Sequence, residues 1–235
     1  MKKIYLSLLL ILISYCGFTQ LEIPKSDSIL YNKSYSIRYS EHYKQPLWSA
    51  YKFYKDMTIK KYIRVSTFYI DSRVKNRVTN SDYRKSGYDR GHLTPIANFR
   101  FDYLSMQQTN YYTNICPQKP RFNRGIWKKL ENKVRKWVLE YDTLYIVSGP
   151  IFSDTNKTIG NNLTIPNKFF KTIIGLKNNK YYSIGFVISN EQSDKSIFDY
   201  VTTIDSIEKI INFDLYYKLN DKIENKIEKN NNLKY

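Results

Sequence analysis

Bulky and small residues alternate over Leu47 to Tyr54 (LWSAYKFY), which predicts a half-buried strand, since successive side chains of an extended chain point to opposite faces. TLYIVSGPIF, Thr143 to Phe152, reads as a second strand that Gly149-Pro150 brings to an end. Residues 169–188 (FFKTIIGLKNNKYYSIGFVI) break at Lys177-Asn178-Asn179-Lys180 into two β-rich runs, the pattern of a hairpin. A helical period appears in two places. From Asn123 to about Glu140, the apolar residues Ile126, Leu130, Val134 and Trp137 recur at spacings of three and four, as on a helix with one buried face. In TTIDSIEKIINFDL, Thr202 or Thr203 can cap a short helix carrying Ile207, Ile210 and Ile211. Leu21 to Gln45 is polar and loop-like. The final stretch, 218–235, is charged and poor in bulky apolar residues, which predicts a frayed helix or a solvated tail.

No internal repeat interrupts this order, and 8 glycines and 7 prolines are too few for a long flexible linker. The chain therefore divides into a start segment, one domain over 20–217, and the charged tail. In the start segment, Lys2 and Lys3 precede an apolar run from Ile4 to about Ile13, followed by small and polar residues near Gly17 to Gln20. That is the pattern of a signal peptide over 1–19, because a bilayer span needs roughly 20 apolar residues. Tyr15 is bulky where a lipoprotein signal wants a small residue before its cysteine, so Cys16 is read as part of the signal. Cleavage near Thr19 or Gln20 leaves Cys116 as the single thiol, unable to form an internal disulfide. The expected location is secreted or periplasmic, with no stable membrane insertion after cleavage.

Charge adds a partner class. The formal net charge is +17, and removing Lys2 and Lys3 leaves 36 basic against 21 acidic side chains, or +15. Such an excess draws polyanions. Nucleic acid leads over an anionic membrane surface only modestly, since abundant Lys, Asn, Ile and Tyr also follow from an AT-rich coding sequence.

The chemistry concentrates in SGYDRGHLTP, Ser86 to Pro95, which holds one of two histidines. Water cleaving a phosphodiester needs a base, a cation at the leaving oxygen and positive donors around the phosphorus. His92 is the natural base, its ordinary pKa of ~6.5 lying near neutral pH. Arg90, two residues away along an extended segment, shares its face and offers a fork of donors to phosphate. Asp89 faces the other way as an anchor, and Gly91 permits close backbone approach. An isolated histidine of this kind is more often a surface or turn residue; its downstream company changes the balance.

That company is TNICPQKPRFNRGIWKKLE, with Asn114, Asn123 and Glu131. Asn123 heads the amphipathic helix, where its amide can cap the helix or face a cation. On one continuous helix Asn123 and Glu131 share a side but lie roughly 12 Å apart along the axis, so Glu131 reaches a shared ion only through water. Magnesium, which sheds its water reluctantly, suits one amide oxygen and one water-mediated carboxylate. The chain has no Cys/His cluster for zinc. An N-cap paired with an exposed helix charge is the alternative. Trp127 and Trp137 are read as core residues.

Taken together, Asp89-Arg90-Gly91-His92, Asn114 in TNICPQ, Asn123 in FNRGIW and Glu131 in KLE resemble the DNA/RNA non-specific endonuclease family, over about Pro46 to Tyr217. The resemblance implies an α+β fold, a central mostly antiparallel sheet flanked by helices, and a ββα-metal active-site motif. It implies Mg2+, with Mn2+ as a substitute, and hydrolysis of DNA and RNA to 5′-phosphate ends. By motif, His92 is the general base, Asn123 the direct metal ligand, Glu131 the holder of a metal-bound water, and Arg90 a phosphate contact. Asn114 orients groups beside the histidine, and Arg64, in RVSTFYIDSR, matches a further family arginine that binds phosphate. Cys116 follows Asn114-Ile115 where the family more usually has Thr, Ser or Ala, which predicts a free thiol near the site. An exported, non-catalytic polyanion binder and a toxin sharing the same chemistry are the rival readings. Oligomeric state stays open, a homodimer included.

Overall fold

The computed structural model describes residues 21–155 and 157–233; the segment read as a signal peptide lies outside them. In chain order the strands are β1 (Leu30–Tyr31), β2 (Ser36–Ser40), β3 (Gln45–Phe53), β4 (Asp89–His92), β5 (Ile115–Gln118), β6 (Thr143–Ile151), β7 (Thr158–Ile159), β8 (Leu163–Thr164), β9 (Lys168–Lys177), β10 (Lys180–Ser189) and β11 (Val201–Thr202). The helices are α1 (Asn80–Tyr83), α2 (Tyr103–Gln108), α3 (Lys128–Trp137), α4 (Ile204–Ile211) and α5 (Asp221–Ile227). Seven strands form one sheet in the order β1-β2-β3-β6-β9-β10-β11, every neighbouring pair antiparallel. The expected α+β architecture with a central antiparallel sheet is therefore present.

Both faces of the sheet are covered. Ile146, Phe169, Ile173 and Phe186 face a cluster that includes Trp127, Leu130, Val134 and Trp137. Their neighbours Val147, Phe170 and Ile174 face the opposite way, onto Ile204, Ile207, Tyr216 and Ile227. Each such fully buried side chain contributes on the order of 1.5–3 kcal/mol. This double cover explains why β3 is buried at nearly every position instead of alternating as LWSAYKFY led one to expect.

The hairpin forms as its sequence predicts: Lys177 pairs with Lys180, and Asn178 and Asn179 take φ of 50° and 58°, the left-handed pair a two-residue turn demands. Thr203 caps α4, its hydroxyl accepting from the Ser206 amide. The expectation that Gly149-Pro150 ends its strand fails. β6 runs on to Ile151, with Gly149 opposite Phe170 and Pro150 opposite Phe169. Proline fits because β3 pairs with β6 only as far as Ser148, so no ladder bond is lost at Pro150 on that side. Glycine fits because a Cβ at 149 would sit 2.3 Å from the Leu47 carbonyl oxygen.

Two further expectations need correction. The helix from Asn123 is not continuous: Phe122–Trp127 is a wide irregular turn broken at Gly125, with φ −99° and ψ −109°, and regular α-helix begins at Lys128. The 218–235 stretch is not a frayed tail over its described length. Asn220 caps α5, Ile227 and Leu233 are buried, and the Ser183 amide donates to Asn232 Oδ1 at 2.8 Å. A few well-separated apolar residues suffice to dock it, which overall polarity hid. No helix of the described residues is long and apolar enough to cross a membrane.

Candidate active site

β4 and β5 pair antiparallel as a small unit apart from the main sheet, and the irregular turn and α3 follow β5. Gly91 sits opposite Cys116, and a Cβ there would lie 2.1 Å from the buried Gln118 side chain, so a larger residue would force that side chain or the strand to move. Cys116 points into the core, fully buried, and burial pushes its thiol pKa well up. The thiol expected near the site is thus sealed beneath it.

His92 ends β4, and Asn110 fixes its ring. The Asn110 amide nitrogen donates to the Val65 and Thr67 carbonyls at 3.0 and 2.8 Å, so its Oδ1 faces His92 Nε2 at 2.8 Å and must accept. Nε2 therefore carries the proton and Nδ1 is left with a basic lone pair. Burial is the main force lowering the His92 pKa to about 4; the Asn110 bond opposes it, and Arg64 and Arg90 reinforce it. The ring is neutral at neutral pH.

Around this ring opens a cleft of about 440 Å³, lined by Arg64, Arg90, His92, Asn123, Arg124, Lys128, Glu131 and Arg135. Five of the six sequence-predicted residues meet here; Asn114 does not. Arg90 stacks its guanidinium 4.5 Å above the Phe68 ring and donates to Asn80 Oδ1 at 2.6 Å, which aims the fork. Asp89 is the anchor expected of it: Arg124 grips both its oxygens at 2.6 and 2.8 Å, and Asn123 Nδ2 donates to Oδ2 at 2.9 Å. Burial disfavours the Asp89 carboxylate, but these bonds outweigh it and hold its pKa below the usual range. With its nitrogen spent on Asp89, Asn123 has only its amide oxygen to offer a ligand. The break at Gly125 lets Asn123 and Glu131 line one cleft, so the separation calculated for a straight helix does not apply.

Asn114 lies behind the site. Fully buried, it accepts from the Thr94 amide and donates to the Thr94 and Thr109 carbonyls, tying the chain just past His92 to the residue before Asn110. Its place is one of support.

Sequence reasoning missed two groups. Asn110 had no pattern to mark it, because its partners are backbone carbonyls far away in sequence. Lys171 reads as an ordinary strand residue, yet it is fully buried, donating to Ser148 Oγ at 2.5 Å with its ammonium 4.7 Å from the Trp127 ring centroid. Burial pushes the Lys171 pKa down and the Glu131 pKa up, each opposed by the other's charge. Arg135, one turn beyond Glu131, donates to Asn98 Oδ1 at 3.1 Å. Lys171, Arg135, Arg64 and Lys128 thus all act on the Glu131 carboxylate.

Two antiparallel strands followed by a helix, presenting one imidazole, one amide and one carboxylate to a basic cleft, place the chain among proteins with a ββα site. It belongs to the DNA/RNA non-specific endonuclease family, whose model matches residues 18–222. The chain is 36% identical over 110 residues to endonuclease G, mitochondrial, of Homo sapiens, covering 42% of this chain and 37% of that protein. It is 32% identical over 181 residues to the mitochondrial nuclease of Saccharomyces cerevisiae, covering 66% of this chain and 55% of that one. The chain thus spans about a third to a half of the length of these relatives. A solved complex of EndoG with EndoGI, described as showing EndoG inhibition, aligns with a TM-score of 0.79 at 27% identity, covering 86% of this chain and 90% of the other.

Proposed function

We propose that this protein is a metal-dependent endonuclease that hydrolyses phosphodiester bonds of DNA and RNA without reading base sequence. The observation that carries the reading is the convergence of His92, Asn123, Glu131 and the guanidinium groups in one cleft, with Asn110 leaving His92 Nδ1 as the free base. The donor set fits a hydrated divalent cation: one neutral amide oxygen and one carboxylate, the pattern magnesium accepts because it keeps most of its waters. Asn123 would hold Mg2+ directly and Glu131 through water, with Mn2+ as a substitute. When bound, the ion supplies Lewis-acid stabilisation of the charge that builds on the leaving oxygen.

The chain's own residues do the rest. His92 Nδ1 takes a proton from water as the water oxygen bonds to phosphorus, and the bond from phosphorus to the 3′-oxygen breaks, leaving a 5′-phosphate. Arg90 and Arg64 hold non-bridging oxygens, and Asn114 keeps the backbone beside the histidine in register. Phosphate contacts carry no base information, so breadth of substrate follows. The segment Lys2 to Ile13 supports an exported protein, secreted or periplasmic, that meets free nucleic acid.

Purified protein incubated with supercoiled plasmid and ribosomal RNA should degrade both in Mg2+ and neither in EDTA. Retarded but intact plasmid in Mg2+ would instead favour a binder of polyanions that has kept the fold.

A further inference from the structure

On the far face of the sheet from the cleft, α4 and α5 bring acidic side chains together. Asp205 and Glu208, one turn apart on α4, and Glu228, which closes α5, each place a carboxylate oxygen within 4.8 Å of the other two. Glu228 is only 6% exposed, and its Oε1 has no hydrogen-bond partner. Glu224, one turn earlier on α5, also has a buried Oε1 without a partner. Among the described residues, none of these four is in a salt bridge.

The arrangement is costly as it stands. A carboxylate at the C-terminal end of a helix faces the negative end of the helix dipole. Burial first, then repulsion from neighbouring carboxylates, Asp214 included, raises the Glu208 pKa to about 7 and the Glu228 pKa to about 9. Such a cluster is relieved either by taking up protons or by enclosing a cation.

We propose that Asp205, Glu208 and Glu228 form a second metal site, a structural one that holds a calcium-class divalent cation and ties α5 to α4. Three carboxylates offer up to five free oxygens of the hard type calcium prefers. Oxygens no more than 4.8 Å from one another can all reach a single ion at the roughly 2.3–2.6 Å typical of calcium. Glu208 spends Oε1 on the Leu215 amide, which fixes the side chain and leaves Oε2 for a ligand. The Asp205 amide donates to the Glu228 carbonyl at 3.3 Å, so the two elements already touch at the site. Glu224 and Glu228 lie past the residues the family model matches, 18–222. Glu228 thus comes from the chain's final segment while Asp205 and Glu208 lie within the matched residues, and the site stands apart from the proposed cleavage chemistry.

The test uses the full chain stripped with EDTA and dialysed, with Ca2+ binding read by calorimetry and by thermal melting. At about ten times the dissociation constant, Ca2+ should raise the melting temperature by about 3–5 °C. Asn123→Ala, which removes the direct ligand in the cleft, should keep that rise and bind one Ca2+ per chain. Glu228→Gln and Asp205→Asn should lose the rise while cleaving plasmid in Mg2+ at the wild-type rate. Without Ca2+, Glu228→Gln should melt no lower than wild type, because a neutral amide replaces a buried carboxyl that burial already keeps protonated, so its lost response cannot be blamed on misfolding. No Ca2+ response in the wild type, or one abolished by Asn123→Ala and retained by Glu228→Gln, would overturn the proposal and leave protonation as the relief.

Discussion

His92 is read easily from the sequence because the segment DRGH surrounds it with an arginine on the same face and a glycine that allows close packing. Its tautomer is not, since Asn110 and the two carbonyls that orient it meet only in the folded chain. Asn110→Leu should lower kcat at least 10-fold with little change in KM, because the ring loses its orientation but the phosphate contacts remain. Asn110→Asp should instead move the acid limb of the pH–rate profile upward, a carboxylate favouring the charged imidazole. In the wild type that limb should lie well below 6.5, in line with a His92 pKa of about 4. The same shift bears on stability. The unfolded chain takes up this proton near pH 6.5 and the folded chain only near 4, so stability falls as pH drops through that window. Compared with His92→Phe in denaturant melts, the wild type should lose about 3 kcal/mol more between pH 7 and pH 4.

The elements were legible wherever one periodicity ruled. The buried stripe Ile126, Leu130, Val134 and Trp137 marked α3, and the Asn-Asn turn marked the β9–β10 hairpin. The irregular turn at Gly125 was not legible, because the apolar period runs through it unbroken while the backbone does not. α5 was hidden by its charge. Removing residues 219–235 should lower the melting temperature by several degrees, since Ile227 and Leu233 are buried against different faces of the sheet. Gly91→Ala should destabilise by about 1–3 kcal/mol and depress cleavage, because the buried Gln118 side chain or β4, which carries Arg90 and His92, must shift to admit the methyl group. A Gly91→Ala variant as stable and as active as wild type would show that the β4–β5 packing does not set the site.

For the whole molecule, net charge pointed to polyanions but not to a surface; the fold makes that specific by gathering Arg64, Arg90, Lys128 and Arg135 about one cleft while Asp89 engages Arg124. Binding to duplex DNA in EDTA should therefore weaken with salt, with a slope of log K on log salt of about −3 to −4. Four aligned motifs made the family legible, whereas the carboxylate cluster between α4 and α5 depends on contacts that no spacing in the sequence displays. The central claim is that one neutral imidazole takes the proton from water at the scissile phosphate. The most direct measurement is single-turnover plasmid nicking by His92→Ala in Mg2+, with DNA affinity and melting temperature determined on the same preparation. The account predicts a loss of at least 100-fold in rate with affinity and stability near wild type; cleavage at the wild-type rate would contradict it.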